Sequence, residues 1–417
     1  MSKLKYSKNA IIALCSLVYF VSYFARKDFA AVQVEMIDSG AVDGVTAGLI
    51  GTALFICYGA GQLVSGYLGD KIKPQYLLMA GLSVTAFANF TMTFITESTW
   101  MIPVWGLNGF AQAMLWPPIV KILSNHLDHD RFVTANLIVT TAAHIATILL
   151  YLYVPICIRF MSWHSVFYSA TFLALAAFII FTVALRFVLP DKSSVERENI
   201  SRAKPEVHSD GSFARTLLSA GIIPTLFSII MMGFLRDGIE SWLPTLYATA
   251  FNRDPSESVL VSVILPVFSI VSIVVVTALH KKKLFNNEIV GSSLLFGSAI
   301  VAAIPLALLI NVPGTACNLI CLLLAAFICA CMHGCNFLLI SCLPGRFACI
   351  GRAATVSGLC NACVYIGAAV ASYTIAIIST NFGWQITVTS WMSVAALGVI
   401  LTALARKSYS KFIKQSK

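Results

Sequence analysis

The sequence predicts an all-α integral membrane protein, with twelve transmembrane helices in two pseudo-symmetric six-helix bundles. Three observations carry that prediction. Of the 417 residues 58% are hydrophobic and 11% charged, with a mean hydropathy of +0.85, which lies outside the composition of soluble globular domains. Apolar runs of about 20 residues, enough to cross about 30 Å of hydrocarbon as a helix, recur along the whole length. One long polar stretch, DKSSVERENISRAKPEVHSDGS from Asp191 to Ser212, divides these runs into two sets of six.

Along the chain the apolar runs fall at 9–31, 45–68, 75–95, 101–123, 132–157 and 164–188, then at 214–243, 257–279, 287–310, 314–342, 351–379 and 385–405. The expected domains are therefore 1–190 and 214–417, joined by a cytoplasmic linker at 191–213 that is too polar to bury a core of its own. The opening MSKLKYSKNAIIALCSLVYF has the basic start and apolar centre of a secretory signal. No small-x-small cleavage site follows and the run is long enough to span, so it reads as the first helix. The twelve cysteines, among them Cys317, Cys321, Cys329, Cys331 and Cys335, lie almost wholly inside these runs at spacings that match no zinc pattern. They read as small packing residues, and neither a metal nor a cofactor is expected.

A net charge of +10 raises the question of a nucleic-acid partner, and its distribution answers it. With the N-terminus inside, nearly all lysines and arginines fall in the inner segments, and the outer segments hold only Arg159 and Arg253. That is the positive-inside pattern. The basicity reports topology in a plasma (inner) membrane with both termini cytoplasmic, and the expected surroundings are the lipid bilayer and no nucleic acid, with the chain as a monomer.

Three basic residues do not fit that accounting. Arg26 and Lys27 interrupt the first run, in YFVSYFARKDF from Tyr19 to Phe29, and Arg236 interrupts the seventh. An arginine at the centre of a membrane helix costs at least about 2.5–3.5 kcal/mol on the insertion scale, so such residues mark function or ion pairs that hold helices in register. Position 236 lies 210 residues after position 26, about half the chain. Two related halves with a binding site at their interface are the architecture of many secondary transporters. After the second run comes GYLGDKIKP, in which Gly66 and Gly69 permit close helix approach and Asp70 can meet a helix N-terminus, as a cytoplasmic gate requires.

The GYLGDKIKP segment resembles the loop between the second and third helices of the major facilitator superfamily. Five further segments, YFVSYFARKDF, FAQAMLWPPIVKIL, TTAAHIATIL, FLRDGIESWLPTLY and AATVSGLCNACVYIGAAVAS, resemble the organophosphate:phosphate antiporter family in order and spacing, over nearly the whole chain. The Trp116 to Pro118 triplet and the Arg-Lys of helix one are the most specific of these. The resemblance implies a major facilitator fold and a secondary transporter, not an enzyme, that exchanges a phosphorylated metabolite for inorganic phosphate by alternating access. It also implies that Arg26 and Arg236 are the phosphate-binding arginines, that His144 lies beside the substrate, and that Tyr19, Tyr23 and Tyr365 line the site. The chemistry agrees, because a guanidinium presents a fixed fork of donors to a tetrahedral oxyanion and cannot lose its charge.

The chain also departs from that family. Gln62 stands where the sugar-phosphate carriers have a lysine, Gly233 and His333 stand where they have tyrosines, and acids occur at Asp237 and Glu240. Arg26, Lys27 and Arg236 are thereby opposed by Asp28, Asp237 and Glu240, and Lys27 is expected to pair with an acid of helix seven, Asp237 in preference to Glu240. Two alternatives follow. One is a proton-coupled symporter of a carboxylate or phosphonate, with Asp237, Glu240, His144 or His333 taking up the proton; the other is a transporter-like membrane sensor of sugar phosphate.

Overall fold

In a bilayer an apolar segment can satisfy its backbone amides locally only as a helix, and in the computed structural model every element among the described residues is helical. The structure describes residues 8–188, 220–282, 284–285, 287–347 and 353–415. The linker expected at 191–213 lies outside them, as do the side chains of Gly66, Gly69 and Asp70.

The first six rods are α1 (Lys8–Asp38), α2 (Gly44–Lys71), α3 (Pro74–Met92), α4 (Met101–Ala113, resumed at Trp116–His126), α5 (His129–Phe160) and α6 (His164–Val188). The second six are α7 (Ile222–Phe251), α8 (Pro255–Val261 and Ile264–Lys281), α9 (Glu288–Leu309), α10 (Thr315–Asn336) and one long helix, Ala353–Gln415. Gly383, at φ 79° and ψ 175°, breaks that last helix into α11 (353–382) and α12 (384–415). Among the described residues nine spans, with α11 and α12 counted as one, are long and apolar enough to cross a membrane. The nine leave out α3, which has 19 residues, and α4, which is interrupted.

Each departure from the expected boundaries has a local cause. Pro117 and Pro118 have no N–H to donate, so α4 cannot run through them. The chain instead makes two tight turns, Met114 N–H to Ala111 O and Leu115 N–H to Gln112 O, and restarts with proline in the first turn of the new piece, where it costs nothing. Helix α7 starts at Ile222, after a left-handed Gly221 at φ 71°, eight residues beyond the expected 214. It also runs through Pro244 to Phe251, whereas the sequence reading stopped at 243. Helix α1 passes unbroken through Arg26, Lys27 and Asp28 for 31 residues, which leaves those charges well inside it. Ahead of α2, Asp43 accepts from Val45 N–H, Thr46 N–H and the Thr46 hydroxyl, and these bonds hold its carboxyl below the usual carboxylate range.

The chain groups into two compact units, Met1–Val32 with Cys57–Glu206, and Gln33–Ile56 with Val207–Lys417. The loop at 39–43 and the helix ends that flank it thus group with the second unit. In the first unit Ile11, Val18, Leu78, Leu82, Leu115, Ile119 and Phe181 form the core. In the second, α7 and α11 approach at backbone distance. A Cβ on Gly367 would lie 2.1 Å from Ile230 O, and one on Gly233 2.3 Å from Val364 O. Thr52 donates to Ala369 O at 2.9 Å and Ser372 to Gly48 O at 3.0 Å, which ties α2 to α11. At another end of this unit the fully buried Glu288 of α9 accepts from Arg346 and from Tyr409 of α12. The eleven cysteines among the described residues form no disulfide, and most are buried.

The Gly233–Gly367 seam yields a direct test. Gly367→Ala or Gly233→Ala has to push two helix backbones apart and should destabilise the protein by about 1–3 kcal/mol, as overpacking does. Gly297 on α9 has open space at its Cβ position, so Gly297→Ala should stabilise by about 0.4–1 kcal/mol. Thermal unfolding in detergent, read by tryptophan fluorescence, checks both signs.

Candidate functional site

Residues spaced four and then three apart share a helix face, so Tyr19, Tyr23 and Arg26 line one side of α1. The Tyr19 ring meets Tyr23 edge-on at 5.0 Å and lies 4.7 Å from Trp116, the residue at which α4 restarts. The Arg26 guanidinium sits 4.2 Å from the Tyr23 ring centroid and 5.1 Å from that of Tyr58 on α2. Two aromatic faces therefore receive the charge, an arrangement whose worth rises as the pair is desolvated. Gln62, one turn beyond Tyr58, is partly exposed, and Lys27 is buried. On α5, His144 places Nδ1 2.9 Å from Thr140 O. A carbonyl can only accept, so Nδ1 carries the proton and Nε2 is the acceptor of the neutral ring.

Behind that face α1 is held by amides. Asn89 of α3 and Asn108 of α4 both donate to Ala25 O, at 3.2 and 3.0 Å, and Ser22 donates to Gln112, which donates to Thr85. All these side chains are buried. Rotating α1 would break several buried hydrogen bonds at once, each costly to leave unmade, so the clamp fixes the direction in which Arg26 points.

In the second unit, Arg236 lies near the middle of α7. Its Nη2 donates to Asp237 Oδ2 at 2.7 Å and its Nε to Oδ1 at 3.3 Å, while Nη1 donates to Asn336 Oδ1 at 2.6 Å. One turn on, His333 Nε2 donates to Glu240 Oε1 at 2.7 Å, and the Cys329 thiol reaches Arg236 O at 3.8 Å. Positions 329, 333 and 336 share one face of α10, as 236 and 240 do on α7, so the polar groups form a single seam. Tyr365 of α11 lies within electrostatic reach of Arg236. Asp237, the acid expected to meet Lys27, has Arg236 as a partner. Adjacent placement and a bidentate fit join Arg236 to Asp237, and His333 bonds to Glu240.

Donor atoms of Glu240, Cys329 and His333 lie within 4.8 Å of one another, close enough for one metal ion to take three ligands. The neighbouring Arg236 charge opposes a cation there. The seam is better described as two carboxylates, each with a basic partner. The sequence reading missed Tyr58, Asn89, Asn108, Gln112 and Asn336. All five are polar or amphipathic residues inside apolar runs, and that was the one signal available.

The sequence matches the Major Facilitator Superfamily over residues 15–372. The chain belongs to this family, which is one of transporters and not of enzymes. It is 25% identical to a probable hexose phosphate transport protein of Chlamydia muridarum over 49% of this chain and 46% of that protein. Over 57% of this chain and 56% of the relative it is 25% identical to the glycerol-3-phosphate transporter of Bacillus subtilis. It is also 32% identical to the membrane sensor protein UhpC of Escherichia coli over 30% and 28%. The chain thus spans about half, or less, of the curated relatives it matches. The solved nucleoside transporter NupG superposes with a TM-score of 0.71 at 15% identity, over 96% of this chain and 99% of that one, which shows the shared fold.

The bonds around Arg236 predict what a lysine would do there. Lysine has no fork to hold Asp237 and Asn336 together, so Arg236→Lys should cost about 1.5–3 kcal/mol of stability, the range for hydrogen bonds to charged groups. Asp237→Asn in the same chain should restore part of it. Thermal unfolding of the two single variants and the double variant checks this.

Proposed function

We propose that this chain is a secondary active transporter that exchanges a small phosphorylated organic anion for inorganic phosphate by alternating access. The observation that carries the reading is the pair of arginines. Arg26 and Arg236 sit near the middle of the first helix of each half, and each is held by partners from its own unit. A guanidinium is suited to bidentate binding of phosphate oxygens, and the named relatives that move hexose phosphate or glycerol-3-phosphate support the substrate class. In this reading Arg26 and Arg236 bind the anion, with His144, Tyr19, Tyr23, Tyr365, Gln62 and His333 around it. Lys27, Asp237 and Glu240 supply the charges that rearrange during exchange, and Gly66, Gly69 and Asp70 form the cytoplasmic gate. The bundles are 1–190 and 214–417, and the protein works as a monomer in the plasma membrane with both termini inside.

Arg236 already has a counter-ion. An incoming anion must therefore compete with Asp237 for the fork, which releases Asp237 for another partner, and Lys27 is the candidate. This gives the exchange its logic: the guanidinium is never left without a negative group, so movement of the empty carrier is disfavoured.

A second reading is favoured by one contact. The 2.7 Å bond between Glu240 and His333 is a carboxylate–imidazole pair of the kind that takes up and releases protons. It supports proton-coupled symport of a carboxylate or phosphonate.

Purified protein in liposomes loaded with inorganic phosphate should release it only when glycerol-3-phosphate, a hexose phosphate or phosphate is present outside. Arg26→Lys and Arg236→Lys should each reduce that flux by about 10- to 100-fold, the equivalent of one lost charged hydrogen bond, with membrane insertion retained. Gln62→Lys should raise the preference for the organic phosphate over inorganic phosphate. Flux abolished by an uncoupler and by Glu240→Gln would replace exchange with proton symport. Binding without flux would identify a sensor.

A further inference from the structure

The clamp behind Arg26 contains one more titratable group, which the proposed exchange does not use. Asp28 is 0% exposed. Its Oδ1 accepts from the Phe29 N–H at 2.8 Å, and no donor among the described residues reaches its Oδ2. The same holds for Asn89 Oδ1 and Asn108 Oδ1, on two further fully buried side chains. Their nitrogens are committed, Asn89 Nδ2 to Ala25 O and Thr85 O and Asn108 Nδ2 to Ala25 O. Turning either amide over would set its oxygen against the Ala25 carbonyl, so a flip does not supply the missing donor. Three buried oxygens, one on α1 and two on the side chains that clamp the preceding turn of α1, thus lack a donor.

Among the described residues no basic side chain of another helix bonds to Asp28. Asn89 and Thr85 of α3 and Asn108 and Gln112 of α4 are neutral. From α5 the titratable Tyr153 packs on Phe24 and shares its hydroxyl with Ser169, and Trp105 of α4 packs on Phe29. The basic residues are those of α1 itself. Arg26 is engaged by Tyr23 and Tyr58, and Lys27, next in the chain, points about 100° away from Asp28 around the helix. A carboxylate held here by one backbone N–H would be a buried charge short of partners, which proteins avoid by neutralising the group. One proton changes the count, because it turns an orphaned acceptor into a donor for an orphaned amide oxygen.

We propose that Asp28 is a proton-binding site that stays occupied at neutral pH, its carboxyl O–H donating to the amide oxygen of Asn89 or Asn108 and joining α1 to α3 or α4 by a neutral hydrogen bond. This revises the charge balance of the first unit. A neutral Asp28 adds no negative charge beside Arg26 and Lys27, which suits a site for a phosphate anion. That last step rests on the proposed substrate class; the protonation does not.

Infrared spectroscopy of the full-length protein in lipid tests the proposal without substrate. The spectrum across the neutral range should contain a protonated-carboxyl C=O band that shifts on carbon-13 labelling of aspartate and disappears in Asp28→Asn. Loss of a carboxylate band in that variant would overturn the proposal. Should the variant fail to fold, the labelled unaltered chain still decides, because absence of any protonated-aspartate band overturns it. Asp28→Asn, a neutral isostere, should also bind inorganic phosphate within about twofold of the unaltered chain; binding about tenfold tighter would mean that a negative charge had been removed, again overturning the proposal. If phosphate binds neither protein, the substrate reading fails, and the infrared band still reports on Asp28.

Discussion

A guanidinium keeps its charge at any pH a cell reaches, so Arg26 and Arg236, set well inside long apolar helices, oblige the surrounding side chains to supply what water no longer can. The two units meet that demand differently. Around Arg26 stand two tyrosine rings, whose faces attract the cation. Around Arg236 stand a carboxylate and an amide oxygen, which accept from three of its five N–H groups.

Holding a charge in place requires holding the helix that carries it, and here too the units differ. Helix α1 is gripped from behind by amides on its carbonyls, a polar clamp whose geometry fixes rotation. Helix α7 is seated by steric fit, with Gly233 and Gly367 allowing backbone contact with α11. Gly233 thereby explains one departure from the sugar-phosphate carriers. Any larger residue at 233, a tyrosine included, would set its Cβ 2.3 Å from Val364 O and push the helices apart.

Much of this was legible in advance. The helices and the unusual status of Arg26, Lys27 and Arg236 follow from apolar run length and from charges that the positive-inside pattern cannot absorb. The limits of α7 were not legible, because Pro244 looks like a terminator, and only packing shows that the helix continues past it. Nor were the partners of the acids. Asp237 bonds to the residue beside it and Glu240 to His333, nearly a hundred residues later in the chain.

By itself, then, the sequence determined that the chain is helical, that it crosses a membrane, and where along each helix the charges fall, because run length and hydropathy are one-dimensional properties. Which polar group faces which was decided by the tertiary structure. Tyr58 on Arg26, Asn336 on Arg236 and the amides behind Ala25 are meetings of residues far apart in sequence. In an apolar surrounding each donor and acceptor must find a partner, and the rotation and contact of the packed helices determine which one is within reach.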